Sequence, residues 1–331
     1  MIAFYISSHG FGHLTRSLVH IEKYLKESEQ NIYIVCGEKQ IKFAIKYLQN
    51  FLNRLTFKEM ITDIGLINKE NSLEVDKIKL EEELFRFIKL WDEILEREVE
   101  YLRNENIEKI ITDISPIGML VGQKLEKKVE AISNFTWYNQ YKFLNLNKWI
   151  LDRFLQAERL IDEFYVYPLA LDLSHITCTK KDIDYVSRDF NYDKIKSLRA
   201  SYGKSIFISC GKSANLGSIE IKNFQGTIFY TEGIDVYGEG YHVKLPVETS
   251  DTHNYLGASD FAIIKAGWGT VAEAILSKVP MILLEREGVL EDSYTINELK
   301  KQNKAISIKV EELKVLDMKV LEQKIITLTT D

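Results

Sequence analysis

Cysteine is scarce: Cys36, Cys178 and Cys210 are the only three, and no two of them stand in a C-x-x-C spacing. An odd count without that spacing argues against a disulfide framework and against a zinc site, and free thiols suit a reducing compartment. Prolines number four, Pro116, Pro168, Pro246 and Pro280, and there are no internal repeats or low-complexity tracts. No apolar run approaches the roughly 18 residues of a membrane span. The opening Met1–Ile6 turns polar at Ser7, without the basic lead of a secretory signal. A soluble, cytoplasmic protein is expected. Positive charge is short as well: 43 Lys and Arg against 49 Asp and Glu give a net charge of -6. That sign is wrong for affinity built on neutralising a phosphate backbone, so nucleic acid is not an expected partner.

What is present is ordinary globular material. The 331 residues are 45% hydrophobic and 28% charged, which favours about two domains, each able to bury a core, with a cleft between them. Short apolar runs alternate with helical patterns, the mark of βα units, so the fold class is α/β with parallel sheets. Strands are expected at Ile2–Ser7, Asn31–Cys36, Leu55–Met60, Lys109–Thr112 and Val129–Ser133 in the first half. In the second half they are expected at Ser205–Ser209, Thr227–Tyr230, Tyr241–Leu245, Phe261–Lys265 and Met281–Glu285. Steps of three and four from Leu84 to Leu102 predict one long helix over Asp76–Asn104. Apolar periodicity weakens and charge rises further on. The division expected is an N-terminal domain over 1–175, a linker over 176–200 and a C-terminal domain over 201–331.

Two glycine turns carry the chemical signals. Ser7-Ser-His-Gly-Phe-Gly-His13 follows the first strand directly, where ligands of parallel sheets bind. Gly10 and Gly12 permit a tight turn that leaves His9 and His13 facing the crevice, and such imidazoles can serve in proton transfer. The plainer alternative is a turn whose histidines only bond backbone groups. The second turn, Lys265-Ala-Gly-Trp-Gly-Thr-Val-Ala-Glu-Ala274, joins a strand to a helix beginning near Thr270. Gly267 and Gly269 allow a phosphate to approach backbone N–H groups, and the helix N-terminus favours an anion. Glu273 fits either a contact to ribose hydroxyls or a capping box with Thr270. The G-x-G-x-x-A spelling of Gly267, Gly269 and Ala272 also matches a dinucleotide fingerprint, although strands of the same half precede it.

Weaker signals surround these. Ser209-Cys-Gly-Lys-Ser213 places Gly211, Lys212 and Ser213 after a strand, a nest suited to a diphosphate or simply a turn. Asp113-Ile-Ser-Pro116 and Asn134-Phe-Thr-Trp137 also follow strands, so Ser115, Phe135 and Trp137 either rim the cleft or, for the aromatics, belong to the core. Asp182 and Asp184 form a D-x-D in the polar linker and read as surface, so no metal site is assigned. Lys124, Lys127 and Lys128, with Trp149 and Phe154, read as a solvated helix face or at most a peripheral membrane contact.

With both glycine loops in place, the sequence resembles the GT-B superfamily of nucleotide-sugar glycosyltransferases across nearly its whole length. Gly10-Phe-Gly-His13 and Lys265–Ala274 resemble the corresponding loops of MurG-type enzymes. The narrower likeness is to the glycosyltransferase-like front half of plant arabinose kinases, carried by His9–His13, Asp113–Pro116, Asn134–Trp137 and Gly267–Glu273. The resemblance implies two Rossmann-like domains facing across a cleft and an inverting, metal-independent transfer of a sugar from a nucleotide sugar, a UDP-sugar, to a hydroxyl acceptor. No cofactor beyond the donor is implied. It makes His13 the general base. It gives the donor to Gly12, Ser209, Gly211, Lys212, Ser213, Gly267, Trp268, Gly269, Thr270, Glu273, Glu291 and Asp292. The acceptor side falls to His9, Asp113, Ser115, Phe135 and Trp137. Asp292 stands where a glutamine is more usual, and Lys265 and Trp268 replace small or polar residues. Two other readings stay open: a nucleotide-sugar hydrolase of the type found in pseudaminic acid synthesis, and a non-catalytic nucleotide-sugar-binding protein.

Overall fold

A computed structural model describes residues 1–70, 72–211 and 216–328. The chain divides into two compact units, Met1–Ile67 with Val75–Tyr185, and Asn68–Glu74 with Val186–Asp331. In chain order the first unit contains β1 (Ile2–Ile6), α1 (Gly12–Glu27), β2 (Ile32–Cys36), α2 (Glu38–Tyr47) and β3 (Leu55–Glu59). It continues with α3 (Lys77–Lys89), α4 (Trp91–Leu102), β4 (Lys109–Asp113), α5 (Pro116–Lys124), β5 (Lys128–Ser133), α6 (Trp137–Phe143), α7 (Lys148–Glu158), β6 (Glu163–Val166) and β7 (Thr179–Asp182). Its seven strands run in the order β3-β2-β1-β4-β5-β6-β7, and every pair is parallel. Both faces of such a sheet are covered, which is why β1 and β2 are unbroken apolar runs with every residue buried. Helix α1 buries Leu14, Leu18, Ile21 and Leu25 along one stripe. β1 pairs with β2 on one side and with β4 on the other. The strand order therefore reverses between β1 and β4, and the crevice at their carboxyl ends is the switch point where such sheets take ligands.

The second unit contains α8 (Tyr192–Tyr202), β8 (Ser205–Ser209), β9 (Ser218–Lys222), β10 (Thr227–Tyr230), β11 (Asp235–Gly238), β12 (Tyr241–Lys244), α9 (Thr252–Ala258) and β13 (Phe261–Lys265). After these come α10 (Trp268–Leu276), β14 (Met281–Glu285), α11 (Leu290–Lys301), β15 (Ala305–Lys309), β16 (Val315–Asp317) and α12 (Met318–Ile325). Six strands form a sheet in the order β12-β10-β8-β13-β14-β15, and three more form a small sheet, β11-β9-β16. The main sheet is parallel throughout and reverses its order between β8 and β13. Its switch point is therefore the pair of turns that follow Ser209 and Lys265. The core joins the two sheets through Ile206, Ile208 and Ile263 on one side and Ile219, Ile221 and Leu316 on the other.

All ten expected strands are present, with ends shifted by no more than a residue. Other expectations need correction. The region read as the 176–200 linker is structured: β7 extends the first sheet by pairing with β6, and α8 carries Ile195 and Leu198 into an apolar cluster with Ala258. The single helix expected over Asp76–Asn104 is two helices, broken at Leu90. The break turns Trp91 inward against Phe87 and Phe154, and the apolar steps continue across it, so periodicity alone hides it. Residues 68–74 group with the second unit, where Leu73 is buried in the core. Phe154 is core rather than part of a surface patch.

Candidate functional site

At the switch point of the first unit, the chain leaves β1 through Ser7–Phe11 and enters α1 with Gly10 in the left-handed region at φ +70°. His13, the second residue of α1, is 7% exposed. Its Nδ1 lies 2.9 Å from Oδ1 of Asp113, the last residue of β4, itself 4% exposed. Arg16, on the same face of α1, grips that carboxylate at two points: Nε donates to Oδ2 at 2.7 Å and Nη2 donates to Oδ1 at 2.6 Å. Ser17 Oγ adds a bond to Oδ2 at 3.2 Å. Burial raises the Asp113 carboxyl, but the charges and hydrogen bonds of Arg16 and His13 outweigh it and hold the group well below the usual carboxylate range. The residue after Asp113 is strained: Ile114 is β-branched and sits at φ +56°. That sharp exit delivers Ser115 to the start of α5.

Around this pair the site is aromatic. His13 packs against Phe135 and Trp137 at ring separations of 5.8 and 6.3 Å, and His9 meets the Trp137 ring edge-on at 5.6 Å. The Trp137 indole donates to Asp63 Oδ2 at 2.8 Å, and the Ser8 N–H donates to Asp63 Oδ1 at 3.0 Å. Burial raises the Asp63 carboxyl against those bonds. Asp63 therefore ties the glycine loop to the aromatic loop. His9 accepts from the Leu66 N–H at 3.3 Å and lies over Gly65, where a Cβ would come within 2.3 Å of its ring.

In the second unit the two turns at the switch point enclose Lys265. A Cβ on Gly211 would fall 2.9 Å from Lys265 Cε, and one on Gly267 would fall 3.4 Å from the same atom. The lysine makes no hydrogen bond or ion pair to another described residue. Burial, with the Arg286 charge beside it, pulls its ammonium down to about 8. Helix α10 begins with Gly267 as its N-cap and has no side-chain cap, so its N-terminus presents backbone N–H groups beside this cation. Ser209 accepts from Thr231 Oγ1 at 2.9 Å. Lys212 and Ser213 lie outside the described residues.

No family model matches the sequence. The L-arabinokinase of Arabidopsis thaliana is 23% identical over 322 residues, which is 91% of this chain and 30% of that protein, so this chain spans less than a third of its length. Solved structures align over the full length. The glycotransferase of kitacinnamycin superposes with a TM-score of 0.66 at 12% identity, covering 100% of this chain and 90% of its own. Phytolacca americana UGT2, complexed with UDP-2fluoro-glucose and pterostilbene, gives 0.62 at 11% identity, covering 97% and 89%. The chain has the GT-B fold.

Within this GT-B fold the expected site residues separate into several groups. His9, His13, Asp113, Phe135 and Trp137 converge at the first switch point, with both aromatics buried rather than rimming an opening. Ser115 does not join them: it is fully buried, caps α5 through the Gly118 N–H and donates to the Thr62 carbonyl. Gly12 is the first residue of α1. Ser209, Gly211, Gly267, Trp268, Gly269 and Thr270 gather at the second switch point, with α10 starting at Trp268 rather than near Thr270. Glu273 forms no capping box; its Oε1 accepts from Arg188 Nη2 at 2.6 Å and Nε at 3.2 Å. Asp292 is fully buried, with Arg286 donating to both carboxylate oxygens at 2.5 and 2.7 Å, while Glu291 is partly exposed in the same first turn of α11. Arg16, Asp63 and the part played by Lys265 escape sequence reasoning. Only Arg16 leaves a usable signal, its i,i+3 spacing from His13 on a helix face.

Proposed function

We propose that this GT-B chain is an inverting, metal-independent glycosyltransferase that moves a sugar from a nucleotide sugar, a UDP-sugar, to a hydroxyl of an acceptor. The observation that carries the reading is the buried His13–Asp113 pair at the ligand-binding end of its sheet. With Nδ1 engaged by Asp113, Nε2 is the atom that takes the acceptor's proton as its oxygen attacks the anomeric carbon. The sugar–phosphate bond breaks on the opposite side, the nucleoside diphosphate leaves, and the configuration inverts. The donor belongs to the second unit. Lys265 and the uncapped α10 N-terminus balance the diphosphate charge that grows in the transition state. Glu273, held through Oε1 by Arg188, keeps its second oxygen for ribose hydroxyls. Arg286 neutralises Asp292, so sugar contacts in this unit fall to Glu291 more than to Asp292. Phe135 and Trp137, both buried, pack against His13 and hold its ring in place rather than meeting the acceptor. The UDP-2fluoro-glucose and pterostilbene bound by the Phytolacca enzyme support this donor and acceptor class. Thermal shift tests the donor side: uridine diphosphate should raise the melting temperature by ligand linkage, and Gly269→Asp should abolish the rise by setting a like charge against the phosphates. Stabilisation by a nicotinamide dinucleotide, with none by a nucleoside diphosphate, would overturn the assignment.

A further inference from the structure

Arg16 Nη2 has three near neighbours: Asp113 Oδ1 at 2.6 Å, Ser133 Oγ at 2.9 Å and His13 Nδ1 at 2.8 Å. A guanidinium Nη2 carries two hydrogens and no lone pair to accept with. Asp113 is a carboxylate and can only accept, and Ser133 can meet the guanidinium only as an acceptor, so these two use both hydrogens. None remains for His13. The other assignment gives a hydrogen to Nδ1, strands the Ser133 contact, and sets the Nδ1 lone pair against a carboxylate oxygen 2.9 Å away. That count favours a proton on Nδ1, donated to Asp113, at the cost of a 2.8 Å contact between Nη2 and Nδ1 that holds no hydrogen bond. The remaining guanidinium nitrogens fix the fork in place: Nε binds Asp113 Oδ2, and Nη1 donates to Asn134 Oδ1 at 2.8 Å.

We infer that Arg16 is a positioning residue that holds Asp113 in a two-point grip, sets His13 in its Nδ1–H form with Nε2 bare, and spends the Asp113 charge that would otherwise hold a protonated imidazole. The last effect follows from a count of the charges around the ring. Asp113 at the end of β4 faces it, Arg16 comes from α1, Asp63 comes from the loop after β3, and His9 comes from the loop after β1. His20, a further turn along α1, bonds Tyr167 and is pulled down to about 4 by burial, so it adds no charge near neutrality. When His13 takes up a proton, Asp113 must serve two cations rather than one. The inference rests on His13 being the base, and its first test does not use activity.

A long-range proton–nitrogen NMR spectrum of the wild-type protein at pH 8, without substrate, should show His13 protonated at Nδ1. Protonation at Nε2 overturns the inference, whether or not the protein transfers sugars. The second test is the pH–rate profile of Arg16→Gln, which removes the charge but retains a donor. Its acidic limb should move up by about one pH unit or more, and Arg16→Lys should move it back toward the wild-type position. A uniform loss of rate with the limb in place would make Arg16 merely structural and overturn the inference.

Discussion

His13 and Asp113 stand 100 residues apart in sequence and 2.9 Å apart in space, so the dyad is a product of topology rather than of any local motif. Lys265 is the corresponding residue of the second unit, and its chemistry gives a signed prediction. The free ammonium loses its proton at about 8, and a diphosphate beside it favours the charged form. Binding above that pH must therefore take up a proton. Affinity for uridine diphosphate should be full below about pH 8 and fall as pH rises through and beyond it, approaching about tenfold per unit where one proton is taken up. Calorimetry at pH 7 and pH 9 should show this, and Lys265→Met should bind weakly with little of the pH dependence left. Wild-type affinity that does not change between those pH values would remove Lys265 from the phosphate site.

Helix α5 shows at the scale of an element how closely the layers must approach. Gly118 and Gly122 face the sheet, and a Cβ on Gly122 would lie 2.2 Å from Val129 Cγ2. Alanine usually favours a helix over glycine by about 1 kcal/mol, but here it would push α5 off β5. Overpacking of that kind costs about 1–3 kcal/mol, so urea unfolding of Gly122→Ala should show a net loss of stability rather than a gain. The same scale explains what the sequence made legible. Strands such as Ile2–Ile6 and Phe261–Lys265 are buried on both faces and stand out as apolar runs. β9 alternates buried and exposed residues over five positions, β16 has three residues, and β7, Thr-Lys-Lys-Asp, is exposed throughout. β9 offers only a short alternation and β7 and β16 no apolar signal, because each is defined by its pairing with a neighbour. The glycine turns were legible for a related reason, since a positive φ or a close approach leaves its mark in residue type. Asp63 and Lys265 were not, because a charged residue in a loop or at a strand end looks the same whether it faces water or a buried partner, and Arg16 left only its i,i+3 spacing from His13.

At the scale of the whole molecule, two parallel sheets each have a switch point: one carries a histidine–carboxylate pair and the other Lys265 beside an uncapped helix end. Among the described residues no helix is long and apolar enough to cross a membrane. The division of labour proposed here gives donor affinity to the second unit and proton transfer to the first, so the two functions should separate on mutation. A base contributes to the transition state and little to ground-state binding. The most direct measurement follows uridine diphosphate and free sugar released from a panel of UDP-sugars, with and without cell extract as the acceptor source, for the wild type and His13→Ala. The account predicts diphosphate release that depends on acceptor, yields a glycosylated product by mass spectrometry, and falls by about 10² to 10⁴ in His13→Ala with donor binding retained. Rapid multiple-turnover release of free sugar without acceptor, or equal activity in the two proteins, would contradict it.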